Sequence, residues 1–311
     1  MAANQQFAMD PVLTAIAVAY RNPDYALIAD DVLPRAPVGD RDFKWHEYDE
    51  AELFTQADTR IGRRSAPNRV EIGGTERAAS IADYGIDVPL DTPTIQQAEK
   101  RGYNVRGRAA ERATNIVLLD REVRVAAAIT NPAAYHADQR LALAGASMFT
   151  DPGADPIGVI QQMIDACWMR PNQIGFGQVA WTAFRRHPKI VKAINRNDGD
   201  SGLVSREDVA RLFEVQRVLV GEGRVNINKP GLAPTIARTW GPVVWGQFID
   251  RSVTPETGGV TFGMTAEFGT RVAGTIRADM GLDGGELVRS GERVKELIIA
   301  RRAGFLIQNV A

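Results

Sequence analysis

The first half of the chain carries the clearest helical pattern. Between residues 94 and 129, alanine and aliphatic residues recur every three or four positions, and alanine and arginine, which favour helices, fill the gaps. Asn131 and Pro132 end the pattern, because proline cannot continue a helix. The sequence therefore predicts a long helix over about 106–129. A shorter apolar stretch, residues 12–20, predicts another helix near the N-terminus.

Two extended stretches precede the long helix. Residues 43–54 and 69–90 show partial alternation of apolar and polar positions, which is typical of strands, and the polar stretch 55–68 between them is typical of a loop tip. The pattern predicts a long two-stranded hairpin over 43–90 with little hydrophobic core of its own. Because such a hairpin is only marginally stable alone in water, we expect it to lie on another surface.

From residue 151 onward, predicted helices and strands alternate. Asp155 and Pro156 favour one helix start, and Ser205 followed by Asp208 favours another. The tail from residue 259 is predicted to be mostly strand. The other predicted elements are a strand over 174–176, a helix over 179–186, a hairpin that joins 218–220 to 225–227, and a core strand within 240–249.

The composition is that of a folded protein, since 44% of the 311 residues are hydrophobic and 24% are charged. The formal net charge of −1 provides no global attraction to nucleic acid. Cys167 is the single cysteine and lies on the apolar face of a predicted helix, so we expect a buried structural thiol and no intrachain disulfide. The apolar stretches are too short to span a bilayer, and we expect a protein made in the cytosol with no membrane partner.

Charges are nevertheless segregated along the chain. Residues 24–58 contain ten acidic and three basic side chains, a balance of −7, whereas residues 60–77 contain five basic and two acidic ones, a balance of +3. Within one hairpin the acidic strand could simply neighbour the basic tip. Alternatively, an acidic surface of one copy meets the basic tip of the next, since complementary charges steer association. The candidate contacts are Arg60, Arg63, Arg64 and Arg69 at the tip, and Asp30, Asp31, Asp49, Glu50 and Glu52 on the acidic side.

Three arginines lie near the start of the predicted long helix. They are Arg106, Arg108 and Arg112, of which the last two are four residues apart and share a helix face. This pattern indicates either a solvated helix face or a weak contact with nucleic-acid phosphates, which requires no base recognition.

Motifs for catalysis and cofactor binding are missing from the sequence. It contains no G-x-x-x-x-G-K phosphate loop, no G-x-G-x-x-G dinucleotide motif and no G-x-S-x-G nucleophile elbow. His46, His136 and His187 are far apart, and none has a second histidine or a cysteine two to four residues away. The sequence therefore predicts no catalytic, cofactor-binding or metal site.

Three phrases stand in order along the chain, from Tyr20 to Val38, from Arg64 to Asn68 and from Trp168 to Asn172. They resemble segments of the major capsid proteins of tailed bacteriophages with the Hong-Kong-97-type fold. Residues 20–38 are similar to the N-terminal arm of that family, which carries an N-P-x-Y-I-A-D-x-V-x-P-x-V-P-V-like phrase, with Ala36 in place of the usual aliphatic residue. Residues 64–68 resemble the R-x-A-P-G phrase at the tip of the family's extended loop, with Asn68 in place of glycine. Residues 168–172, Trp-Met-Arg-Pro-Asn, resemble the start of its axial domain.

This resemblance covers most of the chain and implies an α+β fold of the Hong-Kong-97 type. The expected regions are an N-terminal arm over 1–40, an extended β-hairpin loop over 41–92, a peripheral domain with a long spine helix and long strands over 93–150 and 259–311, and an axial domain over 151–258.

The resemblance also implies a structural function. Members of the family form hexamers and pentamers around their axial domains, and these build an icosahedral head that encloses double-stranded DNA. We therefore expect a self-assembling capsid subunit of the virion, assembled in the host cytoplasm, with Arg106, Arg108 and Arg112 facing DNA through non-specific contacts. Scaffold, portal and decoration proteins are the further partners that the resemblance implies, and no cofactor is expected.

Two alternatives stay open. Encapsulin-like bacterial compartments have the same fold and hold cargo protein instead of DNA. A soluble α+β enzyme with dispersed acidic catalytic residues would instead need a deep pocket lined by converging polar groups.

Overall fold

The computed structural model describes residues 7–20, 26–47, 56, 58–61, 63, 66–67, 69, 75–194, 202–229 and 231–311. Its helices are α1 (Pro11–Ala19), α2 (Ala29–Val32), α3 (Thr92–Lys100), α4 (Val105–Ile129), α5 (Pro156–Asp165), α6 (Gln178–Arg185), α7 (Pro188–Ile194) and α8 (Arg206–Leu212). Short 3-10 turns lie at Pro132–Ala134, Ala137–Gln139 and Gly145–Ser147.

The described residues also form strands, and those after α8 follow one another without an intervening helix. The strands are β1 (Ala8–Met9), β2 (Arg35–Pro37), β3 (Asp42–Glu47), β4 (Thr75–Ser80), β5 (Ala82–Asp91), β6 (Arg140–Ala142), β7 (Gln173–Gly177), β8 (Arg217–Gly221), β9 (Arg224–Asn226), β10 (Ile236–Arg238), β11 (Val244–Gln247), β12 (Gly263–Glu267), β13 (Val272–Ala278), β14 (Gly285–Ile298) and β15 (Gly304–Gln308).

The long helix predicted over 106–129 is confirmed as α4, which has 25 residues and is therefore about 38 Å long at 1.5 Å per residue. The Asn104 side chain caps it by accepting a hydrogen bond from the Gly107 N–H at 2.8 Å. The helix packs on β14 and β5. The short N-terminal helix is confirmed as α1, and it packs on β13 and on α4.

Two larger sheets organise the described part of the chain. A six-stranded sheet has the order β1-β13-β14-β12-β2, and β5 pairs with β14 as well. A five-stranded sheet has the order β6-β15-β11-β7-β8, so β6 and β8 form its two edges. Two separate two-stranded ribbons are formed by β3 with β4 and by β9 with β10.

The hydrophobic core follows these two sheets. One cluster of buried residues covers the five-stranded sheet with helices α5 to α8 and includes Phe176, Phe184 and Phe305. A second cluster joins α2, α4, β11 and the loop before β11. In it the ring of Trp240, from the loop, stacks on the ring of Trp245, from β11, with centroids 4.5 Å apart. The second cluster seats the N-terminal segment on the rest of the molecule.

A glycine makes room for one of these tryptophans. Gly175 of β7 lies opposite Trp245 of β11, and a Cβ atom at this position would come within 2.1 Å of the indole ring. The close approach explains why this buried strand carries glycine where side-chain packing would otherwise favour a larger residue.

Most predicted elements of the second half are confirmed, including the strand at 174–176, the helix at 179–186, the core strand within 240–249 and the strand-rich tail. Ser205 begins α8 as predicted, and its hydroxyl oxygen accepts a hydrogen bond from the Asp208 N–H at 3.2 Å. The predicted hairpin between 218–220 and 225–227 is wrong. β8 pairs in parallel with β7, and β9 pairs with β10, because the partners that cover these strands come from more distant segments.

The predicted hairpin over 43–90 differs from the structure in its second strand. β3 pairs with β4, from Asp42 opposite Ser80 to Glu47 opposite Thr75. The stretch then continues as β5, which leaves β3 and pairs along ten residues of β14. Pairing with β14 buries apolar side chains of β5 such as Leu90. Pairing with the exposed β3 would not bury them. The division of the chain into four regions stays a prediction.

Candidate assembly surfaces and the arm anchor

The segment 26–38, which we call the arm, is held by the buried carboxylate of Glu122 in α4. Glu122 Oε2 accepts hydrogen bonds from the backbone N–H groups of Ile28 at 3.0 Å and Ala29 at 2.8 Å, at the start of α2. Its Oε1 accepts a hydrogen bond from Trp240 Nε1 at 2.6 Å. Burial raises the pKa of the Glu122 carboxyl, and these three donors oppose that rise without cancelling it. One side chain thus joins the arm, α4 and the loop before β11.

The neighbouring residue of α4, Arg121, is buried and makes a second set of contacts with the arm. Its guanidinium donates hydrogen bonds to the Asp30 carboxylate, to the Leu33 carbonyl oxygen at 3.1 Å and to Thr265 Oγ1 at 3.0 Å. Burial alone would raise the pKa of the Asp30 carboxyl, but Arg121 and Arg35 more than offset this and lower it to about 2. Asp30 therefore stays ionised at neutral pH.

Arg35 completes the attachment of the arm. It forms ion pairs with Asp30 at 2.9 Å, Glu267 at 2.6 Å and the buried Glu292 at 2.7 Å. Burial acts to lower the pKa of Arg35, but the surrounding carboxylates outweigh it and raise the pKa. The parallel pairing of β2 with β12 places Arg35 opposite Thr265 and next to these carboxylates. Around Glu292, Arg124 and Arg271 add two longer ion pairs, both at 3.6 Å.

We call this set of side chains the arm anchor; it consists of Asp30, Arg35, Arg121, Glu122, Glu267, Arg271 and Glu292. Of these residues, only Asp30 is among the contacts predicted from the sequence. A signal for the others was present in α4, because Ala113, Val117, Arg121, Val125 and Ile129 recur at four-residue spacing. All five are buried, so an arginine occupies the centre of the helix face that packs inward. A charged residue inside an apolar stripe indicates a buried partner.

The predicted acidic contacts fall in two groups. Asp30 belongs to the arm anchor, and Asp31 forms ion pairs with Arg217 at 2.9 Å and Arg251 at 3.3 Å. Both therefore have arginine partners within the same chain. Asp49, Glu50 and Glu52 lie outside the described residues. The contribution of all five acids to contacts between copies stays a prediction.

The ribbon of β3 and β4 is held differently from the arm. Its cross-strand ion pairs, Lys44 with Glu76 and Arg77 with Glu47, both measure 2.9 Å. The first pair lies largely in solvent, whereas Glu47 is mostly covered and also pairs with Arg301 at 3.6 Å. One face of the ribbon packs Phe43 on a cluster beneath it. Beyond the ribbon, the predicted tip residues Arg60, Arg63 and Arg69 are exposed, and Arg64 lies outside the described residues.

The three arginines predicted to face DNA differ in their surroundings. Arg106 forms ion pairs with Glu286 at 2.7 Å and Glu99 at 3.1 Å, which raise its pKa. Arg108 is exposed and lies over the Tyr103 ring, 4.4 Å from its centroid. Arg112 is exposed one helical turn further along α4. Arg108 and Arg112 are thus the two with guanidinium groups open to a phosphate.

The other features considered for catalysis or metal binding are a cavity, the single cysteine and clusters of His, Cys, Asp or Glu side chains. A cavity of about 490 Å³ lies beside the arm, and its charged lining comes largely from ion-paired side chains, including Asp30, Arg35 and Arg121. Burial raises the pKa of Cys167 to about 12, and its thiol donates to the Met163 carbonyl oxygen at 3.3 Å. No cluster of three or more His, Cys, Asp or Glu side chains suited to a metal ion occurs within the described ranges.

Over the part of the chain that the structure describes, no helix combines the length and the apolar character needed to cross a bilayer.

The chain is similar over nearly its whole length to a known phage protein. A major capsid protein of Pseudomonas phage JBD67 is 44% identical to it over 308 residues, which cover 98% of each chain. No family model matches the sequence.

Solved structures show the same fold at lower identity. The crystal structure of a phage-related protein from Bordetella bronchiseptica RB50 is 22% identical, with a TM-score of 0.75 and coverage of 98% of each chain. The capsid structure of cyanophage P-SCSP1u is 12% identical, with a TM-score of 0.56, and the match covers 93% of this chain and 89% of that one.

Proposed function

Since this chain belongs to the major capsid proteins of phages and is a structural shell subunit with the Hong-Kong-97-type fold, we propose that its copies form the hexamers and pentamers of an icosahedral head enclosing double-stranded DNA. The family assignment confirms the resemblance seen in the sequence and places the protein in the virion capsid. The match to a phage capsid protein over 98% of the chain carries the proposal and favours a phage head over an encapsulin-like compartment. The hypothesis of a soluble α+β enzyme is set aside, because the relatives of this chain are structural capsid proteins.

Contacts between copies are proposed at the extended loop. The ribbon of β3 and β4 pairs with no other described strand, and its ion pairs are exposed, so its outer face is available to a neighbour. We assign to the tip the basic residues Arg60, Arg63, Arg64 and Arg69, which would meet an acidic surface of the next copy that includes Asp30, Asp31, Asp49, Glu50 and Glu52. The intrachain arginines at Asp30 and Asp31 limit how far those two can contribute.

Contact with packaged DNA is proposed at the start of α4. Arg108 and Arg112 are exposed there, and non-specific binding requires only phosphate contacts. Arg106 would add positive potential, although Glu286 and Glu99 hold its side chain. Assembly in the host cytoplasm, and association with scaffold, portal and decoration proteins, belong to the same proposal.

The proposal is tested by expressing the full chain, with and without a scaffold protein, and examining it by analytical ultracentrifugation and negative-stain electron microscopy. Particles built from many copies are expected. A subunit that stays monomeric at every protein and salt concentration would refute self-assembly. Nuclease-resistant DNA in phage-derived particles supports a DNA-filled head, whereas a shell that holds cargo protein instead would support a compartment.

The basic tip is tested by replacing Arg60, Arg63 and Arg64 together with glutamate. We expect assembly to stop, because complementary charges fix register between copies. The circular dichroism spectrum should stay unchanged, since Arg60 and Arg63 are exposed. Replacing the same three residues with lysine keeps the charge and is the matched control. Normal particle yield from the glutamate variant would show that the tip has no electrostatic role in assembly.

A further inference from the structure

The ribbon formed by β9 and β10, residues 224–238, exposes large apolar side chains that its own chain does not cover. Ile227, Leu232 and Ile236 are 63%, 65% and 57% exposed. Asn226 lies opposite Ile236, so Ile227 and Ile236 point to opposite faces of the ribbon. A two-stranded ribbon with both faces in water is marginally stable, and grouped exposed apolar side chains mark an interaction site.

The same ribbon is basic. Residues 224–238 contain Arg224, Lys229 and Arg238 and no acidic residue, a balance of +3. Arg224 and Lys229 are both exposed, and no ion pair joins either of them to another described residue. The Arg238 guanidinium donates to the Glu222 carbonyl oxygen at 3.3 Å, at the base of the ribbon. A partner for this surface should therefore present apolar side chains to Ile227, Leu232 and Ile236 and carry negative charge.

The β6 edge of the five-stranded sheet combines negative charge with exposed apolar side chains. β8 forms one edge and leads directly into the ribbon, whereas β6 forms the other edge, four strand spacings or about 19 Å away. Residues 138–165, which include β6 and α5, contain four aspartates and one arginine, a balance of −3. Of the four aspartates, Asp138 forms an ion pair with Arg302 at 3.5 Å. The end of α5 lies beside this edge, because the Gln139 amide donates to the Ala166 carbonyl oxygen at 2.7 Å. Asp155 and Asp165 are exposed, and neither has an ion pair with another described residue. The exposed alanines of this edge are Ala142, Ala144 and Ala146.

We infer that the β9–β10 ribbon of one copy docks on the 138–165 edge of the next copy. One surface follows the β8 edge of the five-stranded sheet and the other lies at its β6 edge, and the two are complementary in charge, so each copy can offer one to each neighbour. Such a head-to-tail contact closes into a ring when the rotation between copies is constant. The inference rests on the proposed shell function and specifies which surfaces join subunits within one ring.

The experiment reverses the charge of the ribbon with the double variant Arg224→Glu and Lys229→Glu in the full chain. We expect the yield of rings and particles, measured by ultracentrifugation and negative-stain microscopy, to fall about tenfold or more, because like charges then face each other. The double variant Arg224→Lys and Lys229→Arg preserves the charge and should assemble normally. The far-ultraviolet circular dichroism spectrum and melting temperature should match those of the wild type, since both side chains are exposed.

A compensating change identifies the surface that receives the ribbon. Adding Asp155→Lys and Asp165→Lys to the reversed ribbon makes the two surfaces complementary again, so assembly should recover. Normal assembly of the reversed ribbon alone would overturn the contact. A loss that the edge variant fails to rescue, in a chain with wild-type folding, would assign the ribbon to a different partner and would also overturn the inference. Wild-type protein assayed alongside separates these results from a failure of the proposed function, in which no sample assembles.

Discussion

The arm and β3 of the β3–β4 ribbon both lie in the acid-rich stretch 24–58, yet the arm and the ribbon are attached to the molecule in different ways. The arm enters a buried set of ion pairs and hydrogen bonds centred on Arg121 and Glu122, both fully buried. The ribbon relies on ion pairs such as Lys44 with Glu76, whose side chains are 67% and 50% exposed. Similar composition therefore conceals two different roles.

The difference follows from the surroundings of the charges. In water, an exposed ion pair contributes little, because solvent screens the attraction and both side chains lose freedom. In the interior, a charge that loses its partner is costly, because water cannot replace the lost contact. The arm is thus fixed to its own subunit, while the ribbon keeps charged groups available to a neighbour. Three experiments test this contrast.

The largest effect is expected from removing the acceptor that holds the arm. Glu122→Ala leaves the N–H groups of Ile28 and Ala29 and the indole N–H of Trp240 without their acceptor. Each orphaned buried donor costs about 1–3 kcal/mol, so we expect the free energy of unfolding to fall by about 3 kcal/mol or more. Urea unfolding followed by tryptophan fluorescence measures the loss.

Glu122→Gln is the matched control for this change, because the amide keeps one acceptor oxygen and nearly the same volume. It should lose less stability than Glu122→Ala. Equal stability of the alanine variant and the wild type would mean that the arm is not held through this carboxylate.

An intermediate effect is expected from acid. The pKa of Asp30 is lowered from 3.8 to about 2 in the folded chain, so the carboxylate contributes stability that is fully present above about pH 4. That contribution should be lost as pH falls from about 4 towards 2, because protonation then removes the charge that Arg121 and Arg35 contact.

Asp30→Asn removes the titrating group and isolates this effect. The difference in unfolding free energy between wild type and variant should be constant from pH 7 to about pH 4 and should shrink below it. Urea unfolding at a series of pH values measures that difference. A difference that stays constant down to pH 2 would contradict the lowered pKa of Asp30.

The smallest effect is expected in the ribbon. Lys44→Ala and Arg77→Ala each remove one exposed ion pair, and we expect each to change the free energy of unfolding by less than about 1 kcal/mol. The double variants that also remove Glu76 or Glu47 should show coupling energies close to zero in 0.5 M salt, where charges are screened over about 4 Å. A loss as large as that of Glu122→Ala would show that the ribbon is fastened to its own subunit as firmly as the arm.

Local signals in the sequence predicted several elements correctly. The four-residue recurrence of apolar positions and the Asn131-Pro132 stop define α4, and Ser205 with Asp208 defines the start of α8. These features depend on residues a few positions apart, so the sequence displays them directly. The prediction of a hairpin at 218–227 was wrong, because the pairing of its strands depends on distant residues. The turn at Gly221-Glu222-Gly223 does not determine which strands pair with the segments on either side of it.

The candidate surfaces also differ in how far the sequence predicted them. Charge segregation between 24–58 and 60–77 was visible in the sequence, as was the group of arginines between residues 60 and 69. The docking ribbon at 224–238 was not recognised, because its exposure depends on strands that leave it uncovered. Its basic character alone would not have set it apart from an ordinary solvated loop.

The sequence by itself indicated the family, the long helix and the positions of several strands, because each depends on local spacing or on short phrases kept in order. Tertiary structure alone decided which charges are buried. Arg35 contacts Glu267 across 232 positions, and Glu122 contacts Trp240 across 118. Such pairs form only when β2, β12 and α4 come together, and burial then makes each charge depend on its partner.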